Sequence, residues 1–81
     1  QLYHPTDITL NQKMDKIIVC DFGNHRVMSW PRHPQSRSLH ATSRQGEILI
    51  DNISCWGLAM SDNGVLYISD WQHNEVRRYG K

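Results

Sequence analysis

The 81-residue sequence predicts an all-β fold made of antiparallel four-stranded meanders. Three observations predict it. The apolar runs are four or five residues long and end in turn residues, as strands do. No window keeps apolar residues at i, i+3, i+4 and i+7 over three turns, so an amphipathic helix has no support. And one block is nearly written twice: Ile17-Ile-Val-Cys-Asp-Phe-Gly-Asn-His-Arg-Val27 and Leu66-Tyr-Ile-Ser-Asp-Trp-Gln-His-Asn-Glu-Val76, with Asp21 and Asp70 separated by 49 positions. Repetition at that period marks units that bury their cores against one another rather than alone.

Each strand has its own justification. Ile8-Thr9-Leu10 follows His4-Pro5, and a proline favours extended backbone before it. Ile17-Ile18-Val19-Cys20 is continuously apolar, the pattern of a strand covered on both faces. Arg26 to Trp30 comes next and stops at Pro31, which has no N–H for a ladder. Glu47 to Ile50 is a fourth strand. The order then restarts with Trp56 to Met60, followed by Asp62-Asn63-Gly64, a strong hairpin signal between apolar runs. Val65 to Ser69 and Glu75 to Tyr79 complete a second unit that lacks its fourth strand. The expected units are residues 1–50, with a long loop over about 32–45, and residues 51–81. A four-stranded meander repeated at this period is the blade of a β-propeller.

Composition narrows the function. A net charge of +1 gives no global electrostatic case for nucleic acid or an anionic membrane. No apolar stretch is long enough to span a bilayer as a helix. The N-terminus carries neither an initiator Met nor a signal-peptide pattern, and Gln1 reads as a processed or excised end. Cys20 and Cys55 permit one disulfide, and Asn52-Ile53-Ser54 fits the N-glycosylation pattern. Together they favour a secreted or extracellular protein. The five histidines, His4, His25, His33, His40 and His73, show no i, i+2 or i, i+4 pairing, so no metal or other cofactor is expected. No Gly-x-Ser-x-Gly elbow or glycine-rich phosphate loop is present, and Asp21 and Asp70 repeat with the architecture, so no catalytic residue and no enzyme are expected. Arg32, Arg37 and Arg44 form a basic loop with His33 and His40, and Arg77 and Arg78 adjoin Tyr79, a composition that can serve phosphates and stacking. The plainer reading is a solvated connector, with Trp30, Trp56, Trp71 and Tyr79 packing between units.

The run Asp21-Phe-Gly-Asn24-His25-Arg26-Val27, with Pro5 upstream of an apolar strand, resembles the NHL repeat. The second copy, Asp70-Trp-Gln-His73-Asn74-Glu75-Val76, resembles a degenerate NHL repeat: His73-Asn74 stands for Asn24-His25, and Cys55 replaces the proline. The resemblance implies two blades of an NHL-type β-propeller and covers the chain apart from the 32–45 loop. It implies that Asp21, Asn24, His25, Arg26, Asp70, His73 and Asn74 hold the turns between second and third strands, where short acceptors satisfy turn N–H groups. A ligand-facing rim is the alternative reading of these residues. It also implies that Cys20 and Cys55 lie on one face of adjacent blades, where a bridge is geometrically possible; two free buried cysteines remain the alternative. The tone of the sequence is similar to the NHL arrays of secreted proteins more than to those of ubiquitin ligases.

The expected function is that of a non-catalytic binding or structural module. Its partners are further propeller blades or copies of itself, in a ring or filament, with a protein or glycan ligand also allowed. In such an assembly Gln1-Leu2-Tyr3 is expected to supply the missing outer strand of a neighbouring copy. An RNA-binding propeller segment and a piece of a secreted metal-dependent lyase propeller are the alternatives, although nucleic acid is disfavoured as a partner.

Overall fold

A computed structural model describes residues 1–32 and 46–80. The long-loop expectation, with His33, Arg37, His40 and Arg44, lies outside the described residues, as does Lys81. Among the described residues seven strands follow in order: β1 (Pro5–Asn11), β2 (Lys16–Asp21), β3 (Arg26–Pro31), β4 (Glu47–Asp51), β5 (Cys55–Met60), β6 (Leu66–Asp70) and β7 (Glu75–Tyr79). A single 3₁₀ turn over Phe22–Asn24 joins β2 to β3. Among the described residues no helix is long and apolar enough to cross a membrane.

The strands form two antiparallel meanders, one ordered β1-β2-β3-β4 and the other β5-β6-β7. Their registers repeat. Pro5 pairs with Asp21 and Asp7 with Cys20, with an irregularity between Pro5 and Asp7. Cys55 pairs with Asp70 and Gly57 with Ser69, with the same irregularity one residue in. Both first hairpins turn through a left-handed residue just before the second strand, Asp15 at φ 56° and Gly64 at φ 91°. Glycine reaches that conformation without a Cβ clash, whereas aspartate pays modestly for it.

The sheets stack face to face around one apolar core. Ile18, Cys20 and Val27 of the first sheet meet Ile53, Cys55, Leu66 and Ile68, with Leu58 and Met60 packed alongside. Burial at this seam is the main stabilising term, about 25 cal/mol per Å² of apolar surface removed from water. Cys20 and Cys55 are disulfide-bonded, their Cα atoms 5.3 Å apart, which ties β2 to the first strand of the second sheet. The seam also has polar ties. Asp7 Oδ2 accepts the Leu58 N–H at 2.8 Å, and the Thr6 hydroxyl donates to the Cys55 carbonyl at 3.2 Å.

The outer faces are different. On the first sheet Ile8, Leu10 and Ile48 are exposed, and on the second Tyr67 and Val76 are. Val27 and Val76 stand at the same place in their repeats, opposite Cys20 and Ser69. Val27 is 0% exposed and Val76 is 71% exposed. The difference is the neighbouring sheet that covers only the first.

Candidate functional site: the two repeat turns

The first turn is organised by Asp21, whose side chain is fully buried. Its Oδ1 accepts the Tyr3 N–H at 2.7 Å. Its Oδ2 accepts Asn24 Nδ2 at 3.0 Å and Arg26 Nε at 2.7 Å. Burial pushes the Asp21 carboxyl up, but the donors from Tyr3, Asn24 and Arg26 outweigh it and hold the pKa below the ordinary aspartate value. His25 adopts the left-handed conformation at φ 56° and closes the turn with its N–H on the Phe22 carbonyl. Gly23 donates its N–H to the Tyr3 carbonyl at 2.7 Å, and a Cβ there would run into that carbonyl.

The same turn also holds the N-terminus. Asn24 Nδ2 and Arg26 Nη2 donate to the Gln1 carbonyl at 3.1 and 3.0 Å. The expectation that Gln1-Leu2-Tyr3 pairs as a strand with a neighbouring copy is therefore corrected: within this chain the segment is engaged by its own first turn.

The second turn keeps the plan and changes the donors. Asp70 is buried, and its Oδ2 lies 2.9 Å from His73 Nδ1, which donates when it carries the proton. The His73 N–H donates weakly to Oδ1 at 3.4 Å. His73 thus stands three residues after its aspartate, where Asn24 stands after Asp21. Asn74 takes the left-handed place of His25, at φ 57°. Glu75 occupies the position of Arg26, opposite Asp70. The guanidinium comes instead from Arg77, two residues along the same strand face, with Nη1 3.5 Å from Asp70 Oδ2. Burial raises the Asp70 pKa and the His73 and Arg77 contacts overcome it, so the carboxyl again lies below its ordinary value.

Sequence reasoning named Asp21, Asn24, His25, Arg26, Asp70, His73 and Asn74, and the structure brings them into two separate clusters rather than one site. It missed Glu75 and Arg77 as members of the second. Asp70, His73 and Glu75 bring one potential ligand atom each within 4.8 Å of one another. The spacing Asp-x-x-His-x-Glu was the available signal. Arg77 already places a cation at that carboxylate.

An aromatic row was also overlooked as a unit. Phe22 and Trp71 each directly follow their repeat's aspartate. Phe22 meets Trp56 edge-on with ring centroids 5.3 Å apart, and Trp71 at 5.9 Å. Trp56 packs on the first sheet's turn, but Trp56 and Trp71 remain 53% and 66% exposed. Elsewhere, Arg32 is held by Asp15, with Nε 3.0 Å from Oδ1, while Asn52 is exposed at φ 59° next to the seam residue Ile53.

Tandem antiparallel meanders stacked face to face, each closed by an aspartate-centred turn, define blades of a β-propeller. Residues 2–27 match the family model of the NHL repeat. The second sheet repeats the plan with substituted donors. No curated protein matches the chain.

Proposed function

We propose that the chain is a non-catalytic interaction module, a pair of NHL-type blades that binds protein partners, its own copies among them, through its open sheet faces. The observation that carries this reading is the contrast between Val27 and Val76, one repeat position that is sealed in the first blade and bare in the second. Exposed contiguous apolar surface on a small chain marks a surface that associates. The two turns support a structural role for the signature residues, because the buried carboxylates of Asp21 and Asp70 accept their donors within the turns. The Cys20–Cys55 bridge fits a secreted setting, where disulfides persist. An exposed Asn52 fits glycosylation in the same compartment.

Sedimentation of the folded chain over a wide concentration range tests the module reading. Mass that rises with concentration, and that Val76→Asp abolishes without loss of β-sheet signal, is the expected result. A folded monomer at every concentration overturns it.

A further inference from the structure

Asn52-Ile53-Ser54 has the N-glycosylation pattern, and the fold treats its two chemical ends in opposite ways. Asn52 is exposed and sits in the left-handed conformation at φ 59°, which asparagine tolerates. Ser54 is only 4% exposed, and its hydroxyl donates to Gln72 Oε1 at 3.2 Å. Ile53, between them, is 2% exposed and belongs to the apolar core. Its N–H donates to the His25 carbonyl at 2.9 Å, and the Ser54 carbonyl accepts the Trp71 N–H at 2.8 Å. Cys55 follows at once, fully buried and bridged to Cys20. The residue that accepts sugar therefore faces water, while the rest of the pattern is fastened to both repeat turns and to the seam.

The pattern demands a hydroxyl two residues after the asparagine, so the transferring enzyme must reach that hydroxyl as well as the amide. In the folded chain it can reach only the amide. Freeing Ser54 means withdrawing Ile53 from the core and breaking the bonds to His25, Trp71 and Gln72, all beside a disulfide. Such an opening is a sub-global event rather than the fraying of a loop.

We infer that Asn52 accepts an N-glycan only before the second blade closes on the first, and that the finished fold keeps the glycan but cannot acquire one. This rests on the secreted setting proposed above and deepens it by ordering two modifications, glycan transfer first and Cys20–Cys55 closure second. In the transfer, Asn52 Nδ2 attacks the anomeric carbon of a lipid-pyrophosphate-linked oligosaccharide. A carbon–nitrogen bond forms, the bond from that carbon to the pyrophosphate oxygen breaks, and the lipid pyrophosphate leaves. One amide proton passes to a base on the transferase.

The product is compatible with the fold. Asp51 Oδ1 accepts the Asn52 N–H at 2.9 Å, a backbone contact that a sugar on Nδ2 leaves in place. The glycan departs from the connection between β4 and β5, beside the repeat turns, so it does not occupy a sheet face.

A purified oligosaccharyltransferase with its lipid-linked donor tests the order on the whole chain. The oxidised, folded chain is compared with a chain whose two cysteines are reduced and alkylated, which keeps the blades apart. Intact mass should show transfer to the alkylated chain at least about tenfold faster, because the folded chain is modified only through rare openings. Peptide mapping should place the sugar on Asn52, and Asn52→Gln and Ser54→Ala should each abolish it. A chain glycosylated in reductant and mild urea, then reoxidised, should form the Cys20–Cys55 bridge and regain its β-sheet signal. Equal rates on the oxidised and alkylated chains overturn the order. No transfer to either form overturns the acceptor site, and a glycosylated chain that cannot form the bridge overturns the sequence of the two modifications. The secreted setting fails separately: protein from its natural source with Asn52 unmodified, while the alkylated chain is an acceptor, counts against the compartment alone.

Discussion

Arg26 and Asp21 face each other in register across β2 and β3, with Nε 2.7 Å from a carboxylate that has no solvent exposure. A carboxylate so placed is stabilised only while its donors persist. Arg26→Ala should therefore cost about 2–3 kcal/mol of folding stability, the loss of a charged hydrogen bond to a buried partner. Arg77 is half exposed and 3.5 Å from Asp70, so Arg77→Ala should cost less than about 1 kcal/mol. Urea unfolding of the two variants side by side checks the ordering, and equal losses would show that the turns are not held in the way the distances indicate.

The acid limb of the stability curve should depend on the same two aspartates. Both have folded pKa values below the ordinary one, so each contributes stability that is fully present above the unfolded value, about 3.9. That contribution falls as pH drops below there and is gone once pH is under the folded value. Chemical unfolding should show stability falling with decreasing pH under about pH 4. Asp21→Asn and Asp70→Asn should each flatten that slope while lowering stability at neutral pH.

Much of this was legible in the sequence, for local reasons. Strand order follows from short apolar runs with Pro31 and Asn63-Gly64 as punctuation, and the paired aspartates locate both turns. What was not legible depends on three-dimensional substitution. Arg77 stands in for Arg26 from two residues away, so an alignment of the repeats position by position sees only Glu75 and a lost charge. Asp7 sits in an ordinary extended segment, and nothing local says that it accepts a hydrogen bond from Leu58, 51 residues on. β1 is likewise longer than its apolar stretch, because Pro5 and Thr6 are drawn into the sheet by pairing opposite Asp21 and by the contact with Cys55. Arg32 belongs by sequence to a basic loop, yet the carboxylate of Asp15, at the turn that opens β2 in its own sheet, neutralises it.

The bridge between Cys20 and Cys55 spans 35 residues of sequence. Closing a loop of that length restricts the unfolded chain and should contribute about 3–4 kcal/mol on chain-entropy grounds. Replacing both cysteines by serine, or adding reductant, should lower stability by that order. Intact mass before and after reduction establishes the bridge, and unchanged unfolding midpoints would argue against a stabilising role.

Gly23 should be the least replaceable residue of the first turn. Its N–H meets the Tyr3 carbonyl at 2.7 Å, and a Cβ would fall onto that same carbonyl, which is backbone and cannot swing aside. Gly23→Ala must therefore push Tyr3 away from the turn, weakening the Tyr3 N–H bond to Asp21 as well as its own. The second turn has Gln72 at the corresponding position and makes its link one residue earlier, from the Trp71 N–H to the Ser54 carbonyl at 2.8 Å. Gln72→Ala should then keep that link and lose only the bond from the buried Ser54 hydroxyl to Gln72 Oε1, at 3.2 Å, about 1 kcal/mol. Gly23→Ala should cost about 1–3 kcal/mol through backbone strain and lost backbone hydrogen bonding. Amide exchange would separate the two effects: early loss of protection at Tyr3 and Gly23 in the variant, with β6 and β7 unchanged, is the expected pattern.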